Sequence, residues 1–398
     1  MKNCYLLRLT LICSFFASLT LSAQEIPETH GHGVLEERME IQCTIHEYDD
    51  EIMARLEGER HKLVLQGLLP PRSAYAGKRM VTSFQWPLRQ ANGFSQFSYY
   101  TTVNFVDLDA TSGILDYNCG SRTYNGHRGI DISLWPFWWK MMGDNQVEVI
   151  AAAPGVITAK FDGNFDMNCS CTGTWNAVYV EHADGSTAWY GHLKTGSLTS
   201  KAVGASVSTG EYLGRVGSSG CSSNPHLHFE VRDNNNNVIE PYAGSCNSTT
   251  PSSWWASQKP YWEPTLNALL THSSAPAVGG FCPGTESPNI ENNFDPGDLI
   301  RYGAYYHDQQ NGHVTTYNVK NPNGTIIHSW SQTSPNTYSR SNWWWQYTMP
   351  SNAIQGVYSF NATYQGSTKS HYFYVGCPTN LTVANQVITS DVEYNAGS

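Results

Sequence analysis

Charged side chains are scarce in this sequence, making up 14% of its 398 residues. Cations are the rarer sign: 23 Lys and Arg stand against 33 Asp and Glu, a formal net charge of −10. That balance leaves no electrostatic footprint for a phosphate backbone, so nucleic acid is excluded as a partner. So low a charge density also argues against a coiled coil or a long disordered chain. Long apolar runs are missing too. Beyond the first two dozen residues nothing approaches the ~20 continuous apolar positions that a spanning helix needs, and no transmembrane segment is expected.

Glycine (34) and aromatics (13%) are plentiful. This is the mix of a β-rich, turn-rich extracellular protein, long enough for two globular units plus accessory segments. Lys2 and Arg8 precede an apolar stretch over 9–21, and the small Ser22 and Ala23 follow. Residues 1–23 therefore read as an export signal, and the protein as secreted or periplasmic. Cys13 follows Ile12 in the middle of the apolar stretch, which does not suit a lipid anchor. Removing the signal leaves Cys43, Cys119, Cys169, Cys171, Cys221, Cys246, Cys282 and Cys377, an even number that suggests disulfides. Pairing Cys221 with Cys246 and Cys282 with Cys377 keeps each bridge inside one expected domain. Cys43 could equally join Cys119, Cys169 or Cys171 and tether the N-terminal region.

Residues 24–60 carry eleven acidic side chains against three basic ones. Ile41, Ile45, Tyr48, Ile52 and Leu56 recur at three- to four-residue steps, the spacing of an amphipathic helix, and Pro70-Pro71 closes the helical region. Residues 24–80 are thus an acidic helical leader, either a removable inhibitory segment or a permanently packed helix. Within it, Cys43 and His30-Gly31-His32 have side chains suited to blocking a metal.

From 81 to 252 short β-prone runs alternate with Gly, Asn and Asp. Strands are expected at 147–152, 155–160, 175–182, 187–193 and 226–232, with a hairpin at Asp184-Gly185, giving a mainly β, mostly antiparallel domain. Residues 253–281 read as a connector with a short helix around Leu266, Leu269 and Leu270. Residues 282–380 read as a small β-sandwich, and 381–398 as a tail or the truncated start of a further segment. Trp343-Trp344-Trp345 would either contact glycan or fill the sandwich core.

The chemistry concentrates in the first β domain. His127 and Asp131 are four apart in Gly126-His127-Arg128-Gly129-Ile130-Asp131, and His226 and His228 share one face of a strand. His192 ends a strand of its own. Histidine and carboxylate are natural ligands of catalytic zinc, which takes three from the protein, so four imidazoles and one carboxylate leave two groups over for proton transfer. His182, next to Asp184, is read as structural, and His307, His313 and His328 have no ligand spacing. Trp135, Trp138 and Trp139, in a loop-like stretch, would be either a substrate wall or packing. Gly217–Gly220 reads as a groove-edge turn, without the lysine of a phosphate loop.

Four pieces then carry a resemblance: Asn125-Gly126-His127-Arg128-Gly129-Ile130-Asp131, Ala152-Ala153-Pro154-Gly155-Val156-Ile157, Tyr190-Gly191-His192-Leu193, and Gly214-Arg215-Val216-Gly217-Ser218-Ser219-Gly220 followed by Pro225-His226-Leu227-His228-Phe229-Glu230. In order and spacing they resemble the lysostaphin/LasA-type zinc metallopeptidases, peptidase family M23, over roughly residues 84–240. The resemblance implies an antiparallel β core with an open groove. It also implies one zinc ion on His127, Asp131 and His228, with His192 and His226 as catalytic histidines. The implied activity is hydrolysis of peptide bonds in peptidoglycan, or in Gly-rich peptides, beside glycine or D-amino acids, by a protein expected to be monomeric. The alternative is a non-catalytic envelope-binding or scaffold protein that keeps the fold.

Overall fold

The computed structural model describes residues 30–34, 46–76, 82–278 and 282–376. The expected export signal, Ile41, Cys43, Ile45, Cys377 and the tail lie outside these residues.

Alternation along the strands builds the first domain. Seven strands run across an antiparallel sheet in the order Ser206–Val207, Gly155–Phe161, Ala177–Glu181, Thr187–Gly191, His226–Arg232, Ile130–Leu134 and Tyr100–Asn104. Val238–Ile239 pairs with His226–Arg232 off this path. On the central strand Leu227, Phe229 and Val231 point to one side, into a core with Phe84, Ile132, Tyr190 and Trp255. The period of two sends His226, His228, Glu230 and Arg232 to the other side. Cross-strand pairing continues that second face through Gly191 and Trp189, which lie opposite His228 and Glu230, to Tyr179, opposite Trp189. One face is therefore core; the other carries the histidines and is the face on which a groove is expected.

The leader helix, His46–Leu65, packs on the groove face. Its Ile52, Met53 and Leu56 lie against Ala159, Phe161, Ala177, Tyr179 and Trp189. Arg60 fixes it, donating from Nε and Nη2 to the two oxygens of Glu181 at 2.7 and 3.0 Å, and Tyr75 adds a third bond to Glu181 at 2.8 Å. The helix ends at Leu65, short of the two prolines, in a turn where Gly67 takes a left-handed φ of 72°.

Thr265–His272 is a strand and not the expected short helix. It pairs with Leu299–Gln309 through a bulge between Leu266 and Ala268. The bulge shifts the alternation, so Leu266 and Leu269 face the sandwich core while Ala268 and Leu270 face a cluster with Trp135, Phe137 and Tyr305. A strand squeezed between two domains is apolar on both faces, which imitates helical spacing. The stretch is a strand of the second domain, so the expected connector contains part of the sandwich.

That domain packs the strands His30–Val34, Tyr338–Thr348, Leu299–Gln309 and Thr265–His272 against a five-stranded sheet. Tyr302, Tyr306 and Trp345 meet Tyr317, Trp330 and Phe360 between the sheets. Trp343 and Trp345 are buried, on the side of core packing. The backbone of His30-Gly31-His32 is paired to Trp344, Trp343 and Asn342 at the edge of the sandwich.

The disulfides differ from the expected pairs. Cys119 joins Cys246, Cys171 joins Cys221, and Cys169 joins Cys282. All three suggested partners of Cys43 are thus engaged. The expectation that bridges stay within domains fails because the Cys169 loop reaches the start of the sandwich. Nor are the tryptophans after Asp131 in a loop at the groove: Trp138–Gly143 is a helix, and Trp135, Trp138 and Trp139 are all buried. Trp138→Ala should cost about 3–5 kcal/mol, the range for emptying an aromatic core site. Urea unfolding reads this directly, and a loss within ~0.5 kcal/mol, as at a surface position, would contradict the packing.

Candidate functional site

Strand register brings the cluster together. Asp131 lies directly opposite His228, and Ser133 opposite His226, across the pair Ile130–Leu134 and His226–Arg232. His127 arrives from the turn just before, where Gly126 has a left-handed φ of 78°. His127 Nε2 is 3.1 Å from Asp131 Oδ2 and 3.4 Å from His228 Nδ1, and His228 Nδ1 is 3.0 Å from Asp131 Oδ1. One donor atom from each of these three residues therefore falls within 4.8 Å of the others, and all three side chains are buried. Ligands about 2.0 Å from a tetrahedral ion sit about 3.3 Å apart, so two imidazole nitrogens and a carboxylate at these separations fit a zinc ion.

Each donor is braced from behind. His127 donates from Nδ1 to the Phe105 carbonyl at 2.7 Å, which leaves Nε2 as the lone-pair atom. Asn104 donates to Asp131 Oδ2 at 3.0 Å. Burial by itself would push the Asp131 carboxyl up, but the imidazoles of His127 and His226 and hydrogen bonds from His127 and His228 hold it well below the usual carboxylate range.

The other two histidines stand beside this group. His192 follows the strand Thr187–Gly191 with a φ of 60°, a left-handed conformation rare outside glycine. Its ring packs 4.5 Å from His226, centroid to centroid, and its Nδ1 donates to the Ser219 carbonyl at 2.7 Å. His226 donates from Nδ1 to the Asn224 carbonyl at 2.8 Å, and its Nε2 lies 3.5 Å from Asp131 Oδ1. Burial lowers the pKa of both, helped at His192 by the neighbouring His226 and His228. With Nδ1 of each committed to a backbone carbonyl, Nε2 is the nitrogen left to carry a lone pair. All five residues singled out by sequence are thus gathered at one place, and His182 is elsewhere, donating to the Pro154 carbonyl at 2.8 Å.

Other participants escaped the sequence reading. Trp175 is half-buried and stands over the cluster, its ring 5.2 Å from His192 and 5.6 Å from His228. It stands beside the cluster, where Trp135, Trp138 and Trp139 are buried away in packing. The Gly217–Gly220 turn is not an exposed groove edge, because Ser218 and Ser219 are fully buried. A side chain at Gly220 would come within 2.8 Å of the Cβ and backbone nitrogen of Trp175, so glycine there lets the turn pass close to that residue's backbone and present the Ser219 carbonyl to His192. Nothing in the spacing of Trp175 or Asn104 could have flagged them. Glu230 is two residues beyond His228, and strand alternation alone would have found it.

Part of the sequence is similar to known proteins. The family model described as Peptidase family M23 matches residues 125–241. The DD-carboxypeptidase/endopeptidase Mpg of Neisseria meningitidis is 39% identical over 113 residues, 28% of this chain and 21% of that protein. The cell division protein DipM of Caulobacter vibrioides is 46% identical over 57 residues, 14% of this chain and 9% of that protein. The chain thus spans about a fifth or less of the length of these curated relatives. Among solved structures, a mutant catalytic domain of the prophage-encoded M23 protein EnpA from Enterococcus faecalis aligns with a TM-score of 0.24 and 20% identity, over 41% of this chain and 96% of that one. The stretch of sequence that folds the histidine cluster together is a domain of peptidase family M23.

Proposed function

We propose that this protein is an exported zinc metalloendopeptidase that hydrolyses peptide bonds of bacterial peptidoglycan, in stem or cross-bridge, next to glycine or D-amino acids. The observation that carries the reading is the buried group of His127, Asp131 and His228 with two further buried histidines beside it. A binding module has no use for that surplus.

His127 Nε2, an Asp131 oxygen and His228 Nδ1 would hold the zinc, which when bound supplies a Lewis acid and lowers the pKa of water. The other steps belong to the chain's own groups. His226 and His192, with Nδ1 committed to backbone carbonyls, present Nε2 to the cluster and can take the proton of the attacking water. Once protonated, either can pass that proton to the departing amine, and the carbonyl acceptors behind them keep each ring oriented throughout. Trp175 forms one wall of the site, and the groove floor beside it is lined by Trp189 and Tyr179. A flexible peptide with little side-chain bulk suits so enclosed a site.

The leader belongs to the same reading. Its helix lies on the sheet face that carries the histidines, over the floor that runs from Gly155–Phe161 towards the cluster. A segment in that position restricts an extended substrate crossing the groove, and this supports an initially silent enzyme.

Metal analysis together with digestion of peptidoglycan sacculi and a pentaglycine peptide tests the proposal. The protein should hold about one zinc per chain and release new peptide ends. His228→Ala should lose both metal and cleavage, whereas His192→Ala and His226→Ala should keep the metal and lose roughly 10²-fold or more in rate. Zinc without cleavage of either substrate would favour the envelope-binding alternative. For the leader, Ile52→Asp combined with Leu56→Asp should loosen the helix and raise the initial rate on sacculi. An unchanged rate, with the helix released as judged by limited proteolysis, would make it a permanent structural element.

A further inference from the structure

On the central strand the alternation does not stop at the two histidines. Glu230 and Arg232 continue the row on the groove face, and both are buried, with exposures of 4% and 6%. His228 turns Nδ1 towards Asp131, and its other nitrogen, Nε2, lies 3.3 Å from Glu230 Oε2. The second oxygen of Glu230 accepts from Arg232 Nε at 2.6 Å. Arg232 is fixed in turn, donating from Nη1 to the Asn236 carbonyl at 3.0 Å, with its guanidinium 4.5 Å from the centre of the Trp189 ring. On the opposite side the His228 ring rests on Gly129, where an added Cβ would come within 2.5 Å of Nε2. The glycine between His127 and Asp131 thus leaves room for this ring and holds it from behind.

We propose that Glu230, clamped by Arg232, is a positioning residue for His228: it accepts the Nε2 proton, fixes the tautomer with the lone pair on Nδ1, and so sets the affinity of the site for zinc. The inference rests on the reading that His228 is a zinc ligand. Its physical basis is that a ligating imidazole bonded through its other nitrogen to a carboxylate is held in the right tautomer and made more basic. Arg232 has a distinct task. A carboxylate this deeply buried needs a compensating charge, and Arg232 Nε engages one oxygen while the other is left to face His228. Glu230 touches neither substrate nor reacting atoms in this account, so its effect is exerted through the metal.

The test is zinc affinity, measured by competition with a chromophoric chelator on the purified full chain, for the unmodified protein, Glu230→Gln and Arg232→Gln. Glu230→Gln keeps the size and an acceptor oxygen but loses the charge, and should weaken zinc binding by about 10- to 100-fold. Arg232→Gln leaves the carboxylate in place but unclamped and should give a smaller loss in the same direction. It carries the test by itself if Glu230→Gln does not fold. In both variants cleavage should recover towards the unmodified rate when zinc is raised to saturation, a recovery that a directly catalytic role would not allow. If both folded variants bind zinc as tightly as the unmodified protein and lose only thermal stability, Glu230 and Arg232 are a structural pair and the proposal fails. If the unmodified protein binds no zinc, the underlying metal reading fails instead.

Discussion

The register between His226–Arg232 and Ile130–Leu134 is the constraint on which the rest depends. It sets His228 against Asp131 and His226 against Ser133, and a slip of one residue would send every histidine of the central strand into the apolar core. The core enforces the register from the other side, because Leu227, Phe229 and Val231 are buried among aromatic rings. The histidine cluster on one face is therefore specified by hydrophobic packing on the other. Backbone carbonyls do the fine positioning: Phe105, Ser219 and Asn224 each take one imidazole proton and so decide which nitrogen of His127, His192 and His226 faces inward.

The groove face must serve two masters. Near the cluster it is polar and finely braced. Farther along the same sheet it is Ala159, Phe161, Tyr179 and Trp189, apolar surface that the leader helix covers. Arg60 reaches through this contact to Glu181, so helix and sheet are held by a buried ion pair as well as by packing. Removing one member alone would strand a buried charge, which is costly. The second domain is joined to the first by the bridge from Cys169 to Cys282 and by the ion pair of Arg122 with Asp308, 3.2 Å apart. The loop that leads to Trp175 is held from both sides, by that bridge and by Cys171 with Cys221.

Much of this was legible from residue order. Strand alternation placed His226 and His228 on one face, and the four motif pieces named all five clustered side chains. The strands at Gly155–Phe161 and His226–Arg232 lie where β-prone runs between turn residues put them. Features that depend on partners distant in sequence were not legible. Leu266, Leu269 and Leu270 imitate a helix because a bulge and a second domain bury both faces of their strand. The disulfides could not be read either, since Cys119 and Cys246 are 127 residues apart and meet only through the fold. Trp175 came to lie beside the histidines for the same reason, while Trp138, in an equally aromatic stretch, became core.

The most direct test of the central claim is a crystal of the purified protein measured on both sides of the zinc absorption edge. One anomalous peak is expected in the peptidase domain, bounded by His127 Nε2, an Asp131 oxygen and His228 Nδ1, with His192 and His226 outside direct contact. A peak ligated by His192 or His226, or none in protein purified without chelators and supplied with zinc, would contradict it.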